Sequence, residues 1–133
     1  MFEIIQRQHS EIIKLTKYLI RHNSIQNVTE NAFDISLLIG TLLGKLTMHL
    51  SSEDKFIYPY LMNKQDQKIQ ETSRQFAAEM GGLAQAFSDY KNKYLADSKI
   101  KNAPGEFIQE MEKVMQAIVE RIEKEEKYLY PLL

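Results

Sequence analysis

Residues 49–61 read HLSSEDKFIYPYL, and residues 121–133 read RIEKEEKYLYPLL, so the chain repeats one pattern 72 positions later. Both copies carry a glutamate four residues after their first residue, and both close on Tyr-Pro near the end. The first residue differs, because His49 in one copy is matched by Arg121 in the other. The match extends backward along the apolar positions of both halves, which predicts two similar helical hairpins.

Apolar residues recur at alternating spacings of four and three along the chain, and this spacing is typical of helices that bury one face in a bundle. Period-two alternation, the mark of a strand, is missing. The pattern predicts four helices, at about 2–22, 31 to 59–62, 66–97 and 104–133. Because the connections are short, we expect one all-α domain, residues 1–133, folded as an antiparallel up-down-up-down four-helix bundle.

The composition fits a single intracellular domain. The chain has 133 residues, 17 of them basic and 18 acidic, and no cysteine. Disulfides and thiol chemistry are therefore excluded, and the balanced charge offers no basic surface for nucleic acid. The first residues carry scattered charges, unlike a signal peptide, and the apolar stretch ISLLIGTLLGKL is interrupted and short for a bilayer span. We therefore expect a soluble, cytoplasmic protein that does not engage a membrane.

The apolar residues at alternating spacings of four and three form what we call the seam, the face of each helix predicted to be buried. Five ionisable side chains interrupt it: His9, His49, Glu53, Arg121 and Glu125. An unpaired buried charge is costly, so such groups must pair with one another or bind a cation. With antiparallel helices and a rise of about 1.5 Å per residue, all five side chains can lie in one layer across the bundle, about two helical turns deep along the helix axes. Imidazoles and carboxylates from facing helices build metal sites in bundles. The two histidines and two glutamates therefore predict a site for iron(II), manganese(II) or zinc(II).

The predicted seam continues beyond the two glutamates, to Phe56 and Tyr60 in the second helix and to Tyr128 and Leu132 in the fourth. We interpret each Tyr-Pro as a helix end, because proline disrupts a helix interior. We expect the tyrosine hydroxyls of these pairs to reach water. On this interpretation neither tyrosine takes part in the site.

The segments QHSEI, HLSSEDKFIYPYL and EKEEKYLYPLL resemble the hemerythrin-like, or HHE cation-binding, domain over essentially the whole chain. The resemblance implies an antiparallel four-helix bundle of the kind that usually holds two irons bridged by two carboxylates. It further implies that His9 and His49 are terminal ligands of one iron, and that Glu53 and Glu125 are the bridging carboxylates.

The ligands that the resemblance assigns to the second iron are missing. Arg121 stands in place of the histidine of helix four, and Met80 in place of that of helix three, one turn after the apolar Phe76. A guanidinium cannot ligate a metal, but it donates a planar fork of N–H groups to carboxylates. We therefore expect Arg121 to pair with Glu53, Glu125 or both, as a cationic substitute for the second ion.

Two functions follow from these residues. In the first, the chain keeps one metal ion, with iron ahead of zinc and manganese, and acts in sensing or metal handling. An oxygen carrier is not expected, because family members reduce O2 to bound peroxide with one electron from each of two irons. In the second, no metal is kept and the bundle is a regulatory or protein-interaction module. Candidate partners are thus a metal ion, a small diatomic ligand and another protein, and catalysis is not indicated.

Overall fold

The computed structural model describes residues 2–133, except for the side chain of Phe2. Every regular element in this range is helical. In chain order the elements are α1 (Phe2–Ile20), α2 (Ile25–Glu30), α3 (Ala32–Ser52), a π-helical turn (Glu53–Ile57), α4 (Tyr58–Met62), α5 (Gln67–Lys93), α6 (Asp97–Asn102), α7 (Pro104–Lys124), a second π-helical turn (Glu125–Leu129) and a 3-10 turn (Tyr130–Leu132). The prediction of an all-α helical bundle is confirmed.

Two short helices, α2 and α6, lie in connections that the sequence analysis left without structure. The hydroxyl of Ser24 accepts a hydrogen bond from the Asn27 amide at 3.1 Å and so caps the start of α2. Val28 in α2 and Ile100 in α6 are both fully buried. Each connection therefore adds an apolar side chain to the core at one end of the molecule.

Helices α1 and α3 run antiparallel. Lys45 Nζ donates to Glu11 Oε2 at 3.0 Å, and Gln8 Nε2 donates to Ser52 Oγ at 3.3 Å. Residues nearer the start of α1 therefore lie beside residues nearer the end of α3. This opposed order brings the first half of α1 beside the end of α3, where His9 and His49 lie.

Helices α5 and α7 show the same opposed order. Lys93 Nζ donates to Glu110 Oε1 at 2.7 Å near the end of α5, and Lys124 Nζ donates to Glu79 Oε2 at 2.8 Å near its middle. Both helix pairs therefore have the antiparallel relation expected of successive helices. The order of all four helices around the bundle stays a prediction.

Residues Ala32–Met62 form one helical run of 31 residues that is long and apolar enough to cross a membrane, with a mean hydropathy of 1.3 in its most apolar part. This corrects the expectation that the apolar stretch is too short. The run also supplies core side chains, since Ile35, Ile39 and Leu42 are fully buried. The core helix of a bundle and a membrane span share this composition, and here the helix packs in the bundle.

Each glutamate of the repeat begins a π-helical turn. The amide of Tyr58 donates to the carbonyl of Glu53, and the amide of Tyr130 donates to the carbonyl of Glu125, both five residues back. A proline ring clashes with the carbonyl four residues before it in a regular helix, and a wider turn relieves that clash ahead of Pro59. The helix therefore passes the proline and ends at Met62.

The extra residue in each π-helical turn moves the buried face by one position. Ile57 and Leu61 are fully buried, whereas the predicted seam residues Phe56 and Tyr60 are 53% and 49% exposed. In the second copy Leu129 is buried and Tyr128 is exposed in the same way. The predicted seam is thus right as far as each glutamate and wrong beyond it.

The apolar core has two parts, and buried polar side chains lie between them on α1, on α3 with its π-helical turn and on α7 with its π-helical turn. The main core fills most of the bundle and includes Met80, which packs there as an ordinary core residue. The end cluster is smaller and consists of Ile5, Ile57, Tyr58, Leu61, Phe76, Leu129 and Tyr130. Between the two lies what we call the polar layer, which consists of His9, His49, Glu53, Arg121 and Glu125.

Candidate metal centre

The two histidines and two glutamates singled out in the sequence are brought together in the polar layer. Their exposed fractions are 2% for His9 and His49, 0% for Glu53 and 1% for Glu125. His9 comes from α1 and His49 from α3, and each glutamate is the first residue of a π-helical turn. Four donors from three separate parts of the chain thus meet in the interior.

The inward-facing atoms of these side chains are closely spaced. His9 Nε2 lies 3.1 Å from His49 Nε2 and 3.3 Å from Glu125 Oε1. His49 Nε2 lies 3.2 Å from the same Glu125 oxygen and 3.0 Å from Glu53 Oε1. Atoms that bind one ion at about 2.0–2.2 Å, in directions near right angles, are about 3 Å apart. His9, His49 and Glu125 therefore have the spacing of donors able to share one cation, and Glu53 lies beside this group, next to His49.

Both imidazoles are held from outside by oxygen acceptors. His9 Nδ1 is 2.9 Å from Glu126 Oε1, and His49 Nδ1 is 3.0 Å from Gln8 Oε1. Because carboxylate and amide oxygens only accept, each Nδ1 carries the proton and donates it. In the neutral tautomer each Nε2 then directs a lone pair into the polar layer, which is the arrangement of metal-binding histidines.

Glu53 has the least satisfied side chain of the set. Among the described residues, no hydrogen-bond donor with suitable geometry reaches either of its carboxylate oxygens. His49 Nε2 is near at 3.0 Å, but its N–H direction does not point at the Glu53 oxygen. Burial raises the pKa of Glu53 to about 7. A fully buried carboxylate with no donor calls for a proton or a bound cation.

Without a bound metal, the polar layer retains a proton. Burial lowers the pKa of His49, but the hydrogen bond to Glu125 and the negative charges of Glu53 and Glu125 outweigh burial and raise the pKa to about 9. Burial also acts to raise the pKa of Glu125, yet the hydrogen bond from the protonated His49 ring holds that pKa well below its usual range. At neutral pH the metal-free site therefore carries a positive imidazole beside ionised Glu125, and a metal would have to displace that proton.

Arg121 lies on the far side of Glu125 from the histidines. Its Nε donates to Glu125 Oε2 at 3.3 Å, and its Nη1 donates to Glu79 Oε2 at 3.3 Å. Its Nη2 donates to the Phe76 carbonyl at 2.8 Å and to the Tyr58 hydroxyl at 3.3 Å. The guanidinium carbon also lies 4.6 Å from the centroid of the Phe76 ring. The expected pairing with Glu125 is present, and the role as a substitute for a second ion stays a prediction.

The two tyrosines of the Tyr-Pro pairs do not direct their hydroxyls to water, contrary to the sequence-based expectation. Tyr58 and Tyr130 are 8% and 6% exposed. The Tyr130 hydroxyl lies 2.9 Å from His9 Nε2 and 3.2 Å from Glu125 Oε1. Each tyrosine follows its glutamate by five residues, and only a π-helical turn places residues at that spacing on one face. The Tyr-Pro pairs are visible in the sequence, but helical periodicity does not show that a π-helical turn places each tyrosine on the buried face.

Three further residues escaped the sequence analysis because they are not in seam register. Gln8 and Glu126 hold the outer nitrogens of the histidines, and Glu79 binds Arg121 from α5. Glu126 is half exposed and lies in the charged run EKEEK, yet its carboxylate reaches the buried His9. Gln8 and Glu126 are direct sequence neighbours of His9 and Glu125, and this adjacency could have identified them as candidates.

The family model for the hemerythrin HHE cation binding domain matches residues 1–133. The chain belongs to this family. No significant match was found among curated proteins or among solved structures. Cation binding is the property by which the family is described, and in this hemerythrin HHE domain His9, His49 and Glu125 offer ligand atoms that all lie within 4.8 Å of one another.

Proposed function

We propose that this hemerythrin HHE domain binds one metal ion through His9, His49, Glu53 and Glu125, and that it acts in metal handling or sensing. Iron is the first candidate, because two imidazoles and two carboxylates suit Fe(II), although manganese and zinc accept the same donors. The observation that carries the proposal is the convergence of His9, His49 and Glu125, whose ligand atoms lie within 4.8 Å of one another, beside the buried carboxylate of Glu53, which has no hydrogen-bond donor among the described residues.

The residues around Glu125 argue against a second ion. The oxygen of Glu125 that faces away from the histidines accepts from Arg121, and Arg121 remains cationic at any physiological pH. Met80, the other position where a nitrogen ligand is missing, lies in the main core. A single iron supplies one electron and a place for a diatomic ligand such as nitric oxide. Oxygen carriage by two irons is therefore not proposed.

The chain's own residues prepare the site for a cation. Glu126 and Gln8 fix the outer nitrogens of His9 and His49, so neither ring is free to turn its inner nitrogen away. The end cluster covers the polar layer with apolar side chains and limits access of water. Buried, oriented donors with little water between them hold a cation more tightly than the same groups at a surface.

The test is elemental analysis of the purified protein beside two variants. About one iron per chain is expected in the unchanged protein, with loss of the metal in His49→Ala. His22→Ala is the matched control, because His22 is the only other histidine and lies beyond the end of α1. Circular dichroism shows whether each variant is folded.

Two results would contradict the proposal. Protein that is folded and metal-free, and that does not take up added iron, would favour the metal-free regulatory or interaction module. Two metal ions per chain would mean that the ligand assignment is wrong, since the described residues offer one such group.

A further inference from the structure

Tyr130 contacts two of the proposed metal ligands, His9 and Glu125, and the proposed function gives it no task. Its hydroxyl oxygen is 2.9 Å from His9 Nε2, which is closer than the 3.1 Å to His49 Nε2 or the 3.3 Å to Glu125 Oε1. It is also 3.2 Å from Glu125 Oε1. The hydroxyl thus lies as near to two of the proposed ligand atoms as those atoms lie to each other.

The donor atoms form two triangles with a common edge. The inner nitrogens of His9 and His49 and Glu125 Oε1 make one triangle, with sides of 3.1, 3.2 and 3.3 Å. The Tyr130 hydroxyl completes a second triangle on the edge between His9 and Glu125, with new sides of 2.9 and 3.2 Å. Neighbouring ligands of one ion show this spacing at metal–ligand distances of about 2.0–2.2 Å.

We propose that Tyr130 is a further metal ligand and that it makes the site favour iron(III). This inference rests on the proposed function, since it needs an ion at the four ligands named above. On coordination the O–H bond of the phenol breaks, the proton leaves to solvent and an O–Fe bond forms, with no electron transferred. A phenolate is a hard, anionic oxygen donor of the kind that suits ferric iron.

Tyr58 provides a comparison within the same chain, because it is the residue that matches Tyr130 in the first copy of the repeat. Its hydroxyl accepts from Arg121 at 3.3 Å, and it is similarly buried, at 8% exposed. The two tyrosines thus share the π-helical turn and the following proline, but only Tyr130 has histidine and carboxylate neighbours with donor spacing. Tyr58→Phe is therefore the matched control.

The experiment loads the protein with iron(III), supplied as ferric citrate, and measures visible absorption and iron content together. We expect a phenolate-to-iron(III) charge-transfer band in the unchanged protein, full loss of the band in Tyr130→Phe, and a retained band in Tyr58→Phe. Iron remains bound in Tyr130→Phe, because the other four ligands are present. Resonance Raman spectra of the unchanged protein detect phenolate vibrations directly, whether or not the variant folds.

The outcomes separate this inference from the proposed function. Iron bound without a charge-transfer band and without phenolate vibrations, or a band that persists in Tyr130→Phe, overturns ligation by Tyr130 and leaves the one-metal site standing. Failure of the unchanged protein to bind iron, zinc or manganese overturns both.

Discussion

Glu125 binds a different positive group with each of its two oxygens. Oε1 faces the inner nitrogens of His9 and His49, while Oε2 accepts from Arg121. The side chain is 1% exposed, so both interactions operate with little screening by water. The carboxylate therefore couples the candidate metal site to the guanidinium.

Replacement of Arg121 by alanine is expected to lower the free energy of unfolding by about 1–3 kcal/mol, because it leaves the buried Oε2 of Glu125 without its donor and removes the hydrogen bond to the Phe76 carbonyl. Urea denaturation of the metal-free protein measures the loss. Lys124→Ala is the control, since Lys124 also binds Glu79 but is 43% exposed, and it should cost about 0–1 kcal/mol. Equal effects of the two changes would mean that the buried ion pair contributes little to stability.

Replacement of Glu126 by alanine is expected to weaken metal binding by about 10–100-fold, because His9 loses the acceptor that fixes its Nδ1 proton and its ring orientation. Competition with a coloured chelator measures the affinity. Asp54→Ala is the matched control, because Asp54 holds the equivalent position in the first copy of the repeat and is exposed. Equal affinities of the two variants would assign Glu126 no part in the site.

At the residue scale, the sequence predicted the side chains that lie in seam register and missed those beside it. His9, His49, Glu53, Arg121 and Glu125 interrupt an apolar pattern, and a buried charge among apolar neighbours is visible in a sequence. Gln8 and Glu126 reach the site from exposed or half-exposed positions. Their role depends on side-chain direction, which periodicity does not record.

At the scale of the elements, the π-helical turns explain why prediction succeeded in one part of each helix and failed in the next. Helical periodicity assumes a constant 3.6 residues per turn, and each turn that begins at Glu53 or Glu125 contains one residue more. The error therefore begins at the glutamate and carries to the end of the helix. Because the repeat preserves the turn twice, both copies share the same error.

Helix α5 contains two adjacent glycines, Gly81 and Gly82, in exposed positions well inside the helix. A Cβ atom added at either one would meet no heavy atom within 4 Å. Gly81→Ala and Gly82→Ala should therefore each raise the free energy of unfolding by about 0.5–1 kcal/mol, because alanine loses less backbone entropy in a helix.

Thermal or urea denaturation measures the gain, and Ala86→Gly, at an exposed position of the same helix, should show a loss of similar size. A decrease in stability at both glycines would mean that α5 depends on glycine there for a reason other than helix propensity.

At the scale of the whole molecule, a bound ion would link three parts of the chain that lie far apart in sequence: α1, the end of α3 with the π-helical turn that follows it, and the second π-helical turn. An ion that binds only the folded chain stabilises it by about 2.7 kcal/mol when its free concentration is 100 times the dissociation constant. We therefore expect the unfolding temperature to rise on metal addition, by an amount that disappears in His49→Ala.

The size of this rise should depend on pH. The pKa of His49 is raised to about 9 in the metal-free protein, and an ion must displace that proton to bind. Below pH 9 the apparent affinity then increases about tenfold per pH unit for one displaced proton. The stabilisation by metal should thus be greater at pH 8 than at pH 6. A pH-independent shift measured by scanning calorimetry would argue against displacement of the His49 proton.

Because the polar layer divides the apolar core, one end of the bundle can open at a different rate from that at which the whole protein unfolds. Parts of a protein open with free energies that range from near zero up to that of global unfolding. The end cluster has seven buried residues, is built from the two π-helical turns and their neighbours, and lies on the opposite side of the polar layer from the main core. Opening of that end alone would expose the donors while the rest of the bundle stays folded. We therefore expect the residence time of a bound ion to follow this local opening, and the lifetime of the fold to follow global unfolding.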